Sequence, residues 1–93
     1  MFKDKIVYEI EDLEKAQQFL LVTKSKIILT NKKGSTQYYG MRVLDYMFQT
    51  LVKSFSDKIE EIIIDTDEDY SALVTAQKLG YKTIYYKGNK LSC

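Results

Sequence analysis

Two runs in this chain, Lys26-Ile27-Ile28-Leu29-Thr30 and Glu61-Ile62-Ile63-Ile64-Asp65, are apolar at every interior position. A strand with one wet face alternates apolar and polar residues. A strand that does not alternate reads as covered on both faces, the habit of parallel sheets packed between helices. Two further strand patterns flank them, Lys5-Ile6-Val7-Tyr8-Glu9-Ile10 and Lys82-Thr83-Ile84-Tyr85-Tyr86.

Helical periodicity fills the gaps. Glu11 to about Leu21 places Leu13, Ala16, Phe19 and Leu20 near one face. Met41 to Phe55 repeats Leu44, Met47, Phe48, Leu51, Val52 and Phe55 at three- and four-residue steps. A third helix runs from about Tyr70 to Leu79, with Leu73, Val74 and Ala76 apolar and Gly80 placed as its C′ residue. Glu11 or Asp12 is placed to cap the first helix, and Asp67 or Asp69 the third. Strands joined through helices imply right-handed crossovers. The expected fold is therefore α/β, β-α-β-α-β-α-β. It is one three-layer domain over residues 1–93 with a four-stranded, mostly parallel sheet.

The composition removes whole classes of chemistry. The 93 residues carry a net charge of +1, with no His, Trp or Pro and a single Cys. Without His there is no Ser-His-Asp triad, no Cys-His pair and no His-ligated zinc. Cys93, at the last position, excludes an internal disulfide or a zinc site of four cysteines, and suits a thiol in a reducing cytoplasm. No apolar run reaches the ~18 residues of a membrane span. Met1 to Lys5 lead into the first strand pattern without an apolar signal segment. The expectation is a cytoplasmic protein with no membrane partner.

In an open parallel sheet, ligands meet the carboxyl ends of the strands. Here that edge carries Glu9, Glu11 and Asp12; then Asn31, Lys32, Lys33, Gly34 and Ser35; then Asp65 to Asp69; then Lys87 to Lys90. Residues 16–44 hold no acid but Lys24, Lys26, Lys32, Lys33 and Arg42, and the same block includes Tyr38 and Tyr39. Basic side chains interleaved with aromatics can grip phosphates and stack a base, although near-neutral net charge argues against strong nonspecific nucleic-acid binding. Lys32, Lys33, Gly34, Ser35 and Arg42 are therefore the candidate phosphate or nucleic-acid contacts. Gly34-Ser35-Thr36 suggests a phosphate turn but lacks the P-loop pattern.

Asp65-Thr66-Asp67-Glu68-Asp69 places alternate carboxylates after a strand. Asp65, Asp67 and Asp69 are candidate ligands for Mg²⁺, with Glu9 as a general acid or base. The same acids also serve a helix N-terminus without any metal. The eight tyrosines include the pairs Tyr38-Tyr39 and Tyr85-Tyr86. Tyr85 and Tyr86, on a last strand expected at the sheet edge, are candidates for an interface with a protein partner or a second copy.

A strand ending in Glu (Ile6-Val7-Tyr8-Glu9), a turn Lys32-Lys33-Gly34 and a strand ending in Asp-x-Asp (Ile63-Ile64-Asp65-Thr66-Asp67) together resemble the Toprim (topoisomerase–primase) domain. Ile10 and Tyr70 stand where that family commonly has Gly. The resemblance implies Mg²⁺ held by Glu9, Asp65 and Asp67 for phosphodiester chemistry. From the residues alone, the leading expectation is a small interaction or regulatory module without a complete catalytic constellation, possible as a homodimer. The alternatives are the Toprim-like Mg²⁺-dependent enzyme or nucleic-acid binder, and a binder of a small phosphate-containing ligand at the strand-end edge.

Overall fold

Asp12 marks the start of the first helix by accepting a hydrogen bond from the Lys15 N–H at 2.8 Å, as expected of a capping carboxylate. In the computed structural model, which describes residues 6–91, ten elements follow one another. They are β1 (Ile6–Ile10), α1 (Leu13–Val22), β2 (Ile27–Asn31), α2 (Ser35–Tyr39), α3 (Met41–Phe55), a 3₁₀ turn (Ser56–Lys58), β3 (Ile59–Asp65), α4 (Tyr70–Lys78), β4 (Thr83–Tyr86) and β5 (Asn89–Leu91). The expected strand start at Lys5, the N-terminal segment from Met1 and the Cys93 thiol lie outside the described residues. The α/β class stands, and the described residues share one core. No helix among them is long and apolar enough to cross a membrane.

The strands lie in the order β1-β2-β3-β4-β5. The first four are parallel, and β5 runs antiparallel to β4. Each crossover steps to the next strand in the same direction. Crossovers of one hand then deposit every helix on the same side of the sheet. Accordingly α1 touches α3, and α3 touches α2 and α4. The molecule measures 35 × 31 × 20 Å, the thickness of one sheet and one helix layer. This corrects the expected three layers: there are two, and one sheet face carries no helix. The chain order never reverses, so nothing crosses to the second face.

Inward residues form the core. Ile27 and Leu29 of β2, Ile64 of β3 and Ile84 of β4 meet Leu44, Phe48 and Leu51 of α3 with no exposed surface. Ala16 and Leu20 of α1 and Ala72, Leu73 and Ala76 of α4 close the two ends. Ile28, Thr30 and Ile63 alternate with these core positions and are only half-buried.

The sheet has five strands where four were expected. Tyr86 and Asn89 pair across a two-residue turn, Lys87-Gly88, whose φ values of 53° and 79° are both positive, as a type I′ hairpin requires. The expected free edge at Tyr85 and Tyr86 is corrected as well, because β5 occupies it. Tyr86 makes an edge-to-face contact with Tyr70 at 6.2 Å, and the Lys87 ammonium sits 5.5 Å from its ring centre.

Candidate functional site

The carboxyl ends of β1 and β2 open into a cleft of about 480 Å³. Lys32, Lys33 and Ser35 supply its basic and hydroxyl side. Tyr38 and Tyr39 form an aromatic wall, and Glu11 and Asp12 face them from the end of β1. A volume in this range suits a small ligand.

Asn31 braces the turn that lines the cleft. It is the last residue of β2, at the inward parity of Ile27 and Leu29, and is only 2% exposed. Its Oδ1 accepts from the Asp65 N–H at 2.7 Å, and its Nδ2 donates to the Asp65 carbonyl at 2.9 Å. The same amide also donates to Ser35 Oγ at 3.0 Å and to the Lys32 carbonyl at 3.2 Å. One side chain thus ties the ends of β2 and β3 together and holds the Lys32–Ser35 turn. Gly34, at φ 87°, takes the left-handed conformation this turn needs. Asn31 stands on the expected strand-end edge, but with no role of its own. Its signal is parity: a polar residue on the buried face of an apolar strand needs internal partners.

The aromatic wall comes from α2, a short helix ended by Gly40 at φ 89°. Tyr38 and Tyr39 make an edge-to-face pair at 4.8 Å. The Tyr39 hydroxyl donates to the Glu11 carbonyl at 3.2 Å, bridging the cleft mouth. Tyr38 is 81% exposed, so its ring is available to a ligand. Tyr8 stacks on Phe19 at 4.4 Å beneath α1. Burial, with Asp12 and Glu11 nearby, raises its phenol above the usual tyrosine range.

The expected phosphate set is thus brought together in part. Lys32, Lys33, Gly34 and Ser35 share the cleft. Arg42 opens α3 and lines a separate hollow with Thr36 and Asp69. Lys24 and Lys26 precede β2, at the opposite end of that strand from Lys32 and Lys33. The basic block therefore does not form one continuous track.

The carboxylates do not converge. Glu9 is exposed on β1, in register with Thr30. Asp65 ends β3, with β2 between the two strands. The Asp65 carboxylate accepts from the Asp67 N–H at 2.9 Å. Asp67, at φ 54°, lies 3.9 Å from the Lys33 ammonium. Asp69 caps α4 by accepting from the Ala72 N–H at 3.1 Å, and its other oxygen accepts from Thr36 Oγ1 at 3.1 Å. Asp65, Asp67 and Asp69 each have a separate local task. Among the described residues no three candidate ligands gather for a metal ion. The donor set implied by the Toprim resemblance therefore does not fit a shared Mg²⁺.

Comparison with known proteins finds a relative in Rickettsia prowazekii (strain Madrid E), named Uncharacterized protein RP547. It is 48% identical over 82 residues, which cover 88% of this chain and 77% of its own length. No protein-family model and no solved structure matches the chain.

Proposed function

We propose a function for a chain that belongs to the family of the Rickettsia prowazekii protein RP547: it is a small binding module whose strand-end cleft takes a phosphate-bearing small molecule. The observation that carries this reading is the meeting of two lysines, a hydroxyl and two tyrosines around one cleft of ligand size. Lys32 and Lys33 supply the positive charge a phosphate needs, and Ser35 Oγ, which accepts from Asn31, keeps its own proton to donate. The open ring of Tyr38 offers a face for a planar group. Glu11 and Asp12, on the far side, suit the hydroxyls of a sugar.

Binding is favoured over catalysis by the hydrogen bonding. Among the described residues, no bond in the cleft joins a nucleophile to a general base. Thermal unfolding with inorganic phosphate, ribose 5-phosphate and a mononucleotide tests the proposal. Ligand binding to the folded state raises the midpoint. The expected result is a concentration-dependent rise that disappears in Lys32→Ala/Lys33→Ala. A flat response to all three, with no amide NMR shifts at Lys32 to Tyr39, overturns it.

A further inference from the structure

The helix-free face of the sheet joins an apolar band to a set of carboxylates. Val7 of β1 is in register with Ile28 of β2, and Thr30 of β2 with Ile63 of β3. Val7 is 55% exposed, and Ile28 and Ile63 are half-buried. Acids surround this band. Glu9 is in register with Thr30, Glu61 with Ile28, and Asp65 with Tyr85. Glu9 and Glu61 are exposed, and Asp65 is half-buried. Strand parity puts these three carboxylates on the face with one base, Lys90, which pairs with Tyr85 at the far edge. Thr83 Oγ1 holds Glu61 at 2.7 Å, and the Asp67 N–H holds Asp65 at 2.9 Å. Glu9 makes no ion pair with another described residue. Parallel sheets are normally covered on both faces, and here only one face has its helices.

We propose that this face docks a basic amphipathic α-helix of a partner protein. Charge selects the occupant. Carboxylates on β1 and β3 repel a nucleic acid, an anionic lipid surface and a second copy of the same face, and they attract Lys and Arg. The form of the occupant follows from the sheet, since helices are what pack on the faces of parallel strands. Neighbouring strands lie about 4.8 Å apart, so Glu9 on one side and Glu61 and Asp65 on the other flank β2 by about that distance. A helix about 10 Å across, laid along β2, sets its apolar stripe on Ile28 and Thr30, between Val7 and Ile63. Glu61 and Asp65 are about 13 Å apart along β3, or about two and a half helical turns. Bases at that spacing on one flank of the helix meet these two acids, and a base on the opposite flank meets Glu9. The apolar stripe supplies the contact and the basic flanks set its register, as in other helix-in-groove pairs. None of these residues lines the strand-end cleft, so this docking is independent of ligand binding there.

Amide NMR of the full chain, titrated with a designed peptide, tests the proposal. The probe is a helix of about five turns built from leucine, alanine and lysine, with its leucine stripe flanked by lysines. The control peptide carries glutamate at every lysine. The expected result is saturable shifts centred on Val7, Ile28, Thr30 and Ile63 with the lysine peptide and none with the glutamate peptide. Glu9→Lys with Glu61→Lys should weaken the lysine peptide by at least about tenfold and make the glutamate peptide the preferred one. Glu9→Gln, at an exposed position, is the second variant should the double one fail to fold by circular dichroism, and it should weaken the lysine peptide about threefold. Absence of shifts on this face at millimolar lysine peptide overturns the proposal. So does an equal response to the two peptides, or an affinity that both carboxylate variants leave unchanged.

Discussion

The Asn31 side chain and the Asp65 backbone exchange two hydrogen bonds, at 2.7 and 2.9 Å, where β2 and β3 end. This is the bonding one strand offers another, supplied by a side chain one residue past the last registered pair, Thr30 with Ile63. Asn31→Ala leaves the Asp65 N–H and carbonyl without that partner in a largely buried site. It should lower stability by about 2–3 kcal/mol, the cost of orphaned buried groups, with the midpoint read by urea unfolding. Because Ser35 and Lys32 lose the same partner, ligand shifts in the cleft should weaken too.

Tyr81 ties α3 to the segment after α4. Its hydroxyl donates to Asp45 Oδ1 at 2.5 Å and accepts from Gln49 Nε2 at 3.2 Å. Burial first, and then the Asp45 carboxylate, hold its phenol well above the usual tyrosine value of 10. The folded state therefore favours the protonated form. That contribution is complete below pH 10 and is lost as pH rises through the folded value. Stability should fall with pH above 10, and Tyr81→Phe should flatten that fall. At neutral pH the variant should be less stable by about 1 kcal/mol for the missing bond. Unfolding curves at pH 7 and across the alkaline range check both parts.

Much of the element order is legible because periodicity is local physics. The α3 stripe of Leu44, Met47, Phe48 and Leu51 is buried as its spacing implies. Asp12 and Asp69 cap the helices they precede, and Gly80 takes φ 93° after α4. The layer count is not local. Ile28 and Ile63 read as buried on two faces, yet helix placement depends on strand order, which no single segment encodes. The carboxylates of Asp65, Asp67 and Asp69 show the same limit. Metal ligands, turn acceptors and helix caps share one residue pattern, and only the distances to Asp67 N–H, Lys33 and Ala72 N–H distinguish them. The cleft was legible as an edge of loops, but the Asn31 side chain that braces its Lys32–Ser35 turn was not, since a polar strand end resembles a turn residue.

The Lys87-Gly88 turn offers a stability gain. Lys87 holds φ 53°, a conformation that strains an ordinary side chain. Asn tolerates it and is favoured at the first position of such a turn. Lys87→Asn should raise stability by about 0.5–1 kcal/mol and slow amide exchange in β5. Gly88→Val, forced to φ 79°, should do the reverse. Exchange rates at Asn89 to Leu91 distinguish a change confined to the hairpin from a general one.

Asp69 separates the capping role of the acidic loop from a metal role. Its two oxygens accept from Ala72 N–H and Thr36 Oγ1, joining the start of α4 to α2. Asp69→Ala should cost about 1–2 kcal/mol, as the loss of a helix cap does. Asp69→Asn keeps an acceptor for the Ala72 N–H and should lose less. A ligand of Mg²⁺ would behave differently. Its removal would abolish a metal-dependent rise in the wild-type midpoint, and Asn would replace it poorly because the negative charge is gone. The geometry calls for the first pattern: an Ala deficit larger than the Asn deficit, unchanged by millimolar Mg²⁺. Thermal unfolding of the three proteins with Mg²⁺ or with a chelator measures it directly. A metal-dependent midpoint in the wild type, lost equally in both variants, would return the acidic loop to a cation-binding role.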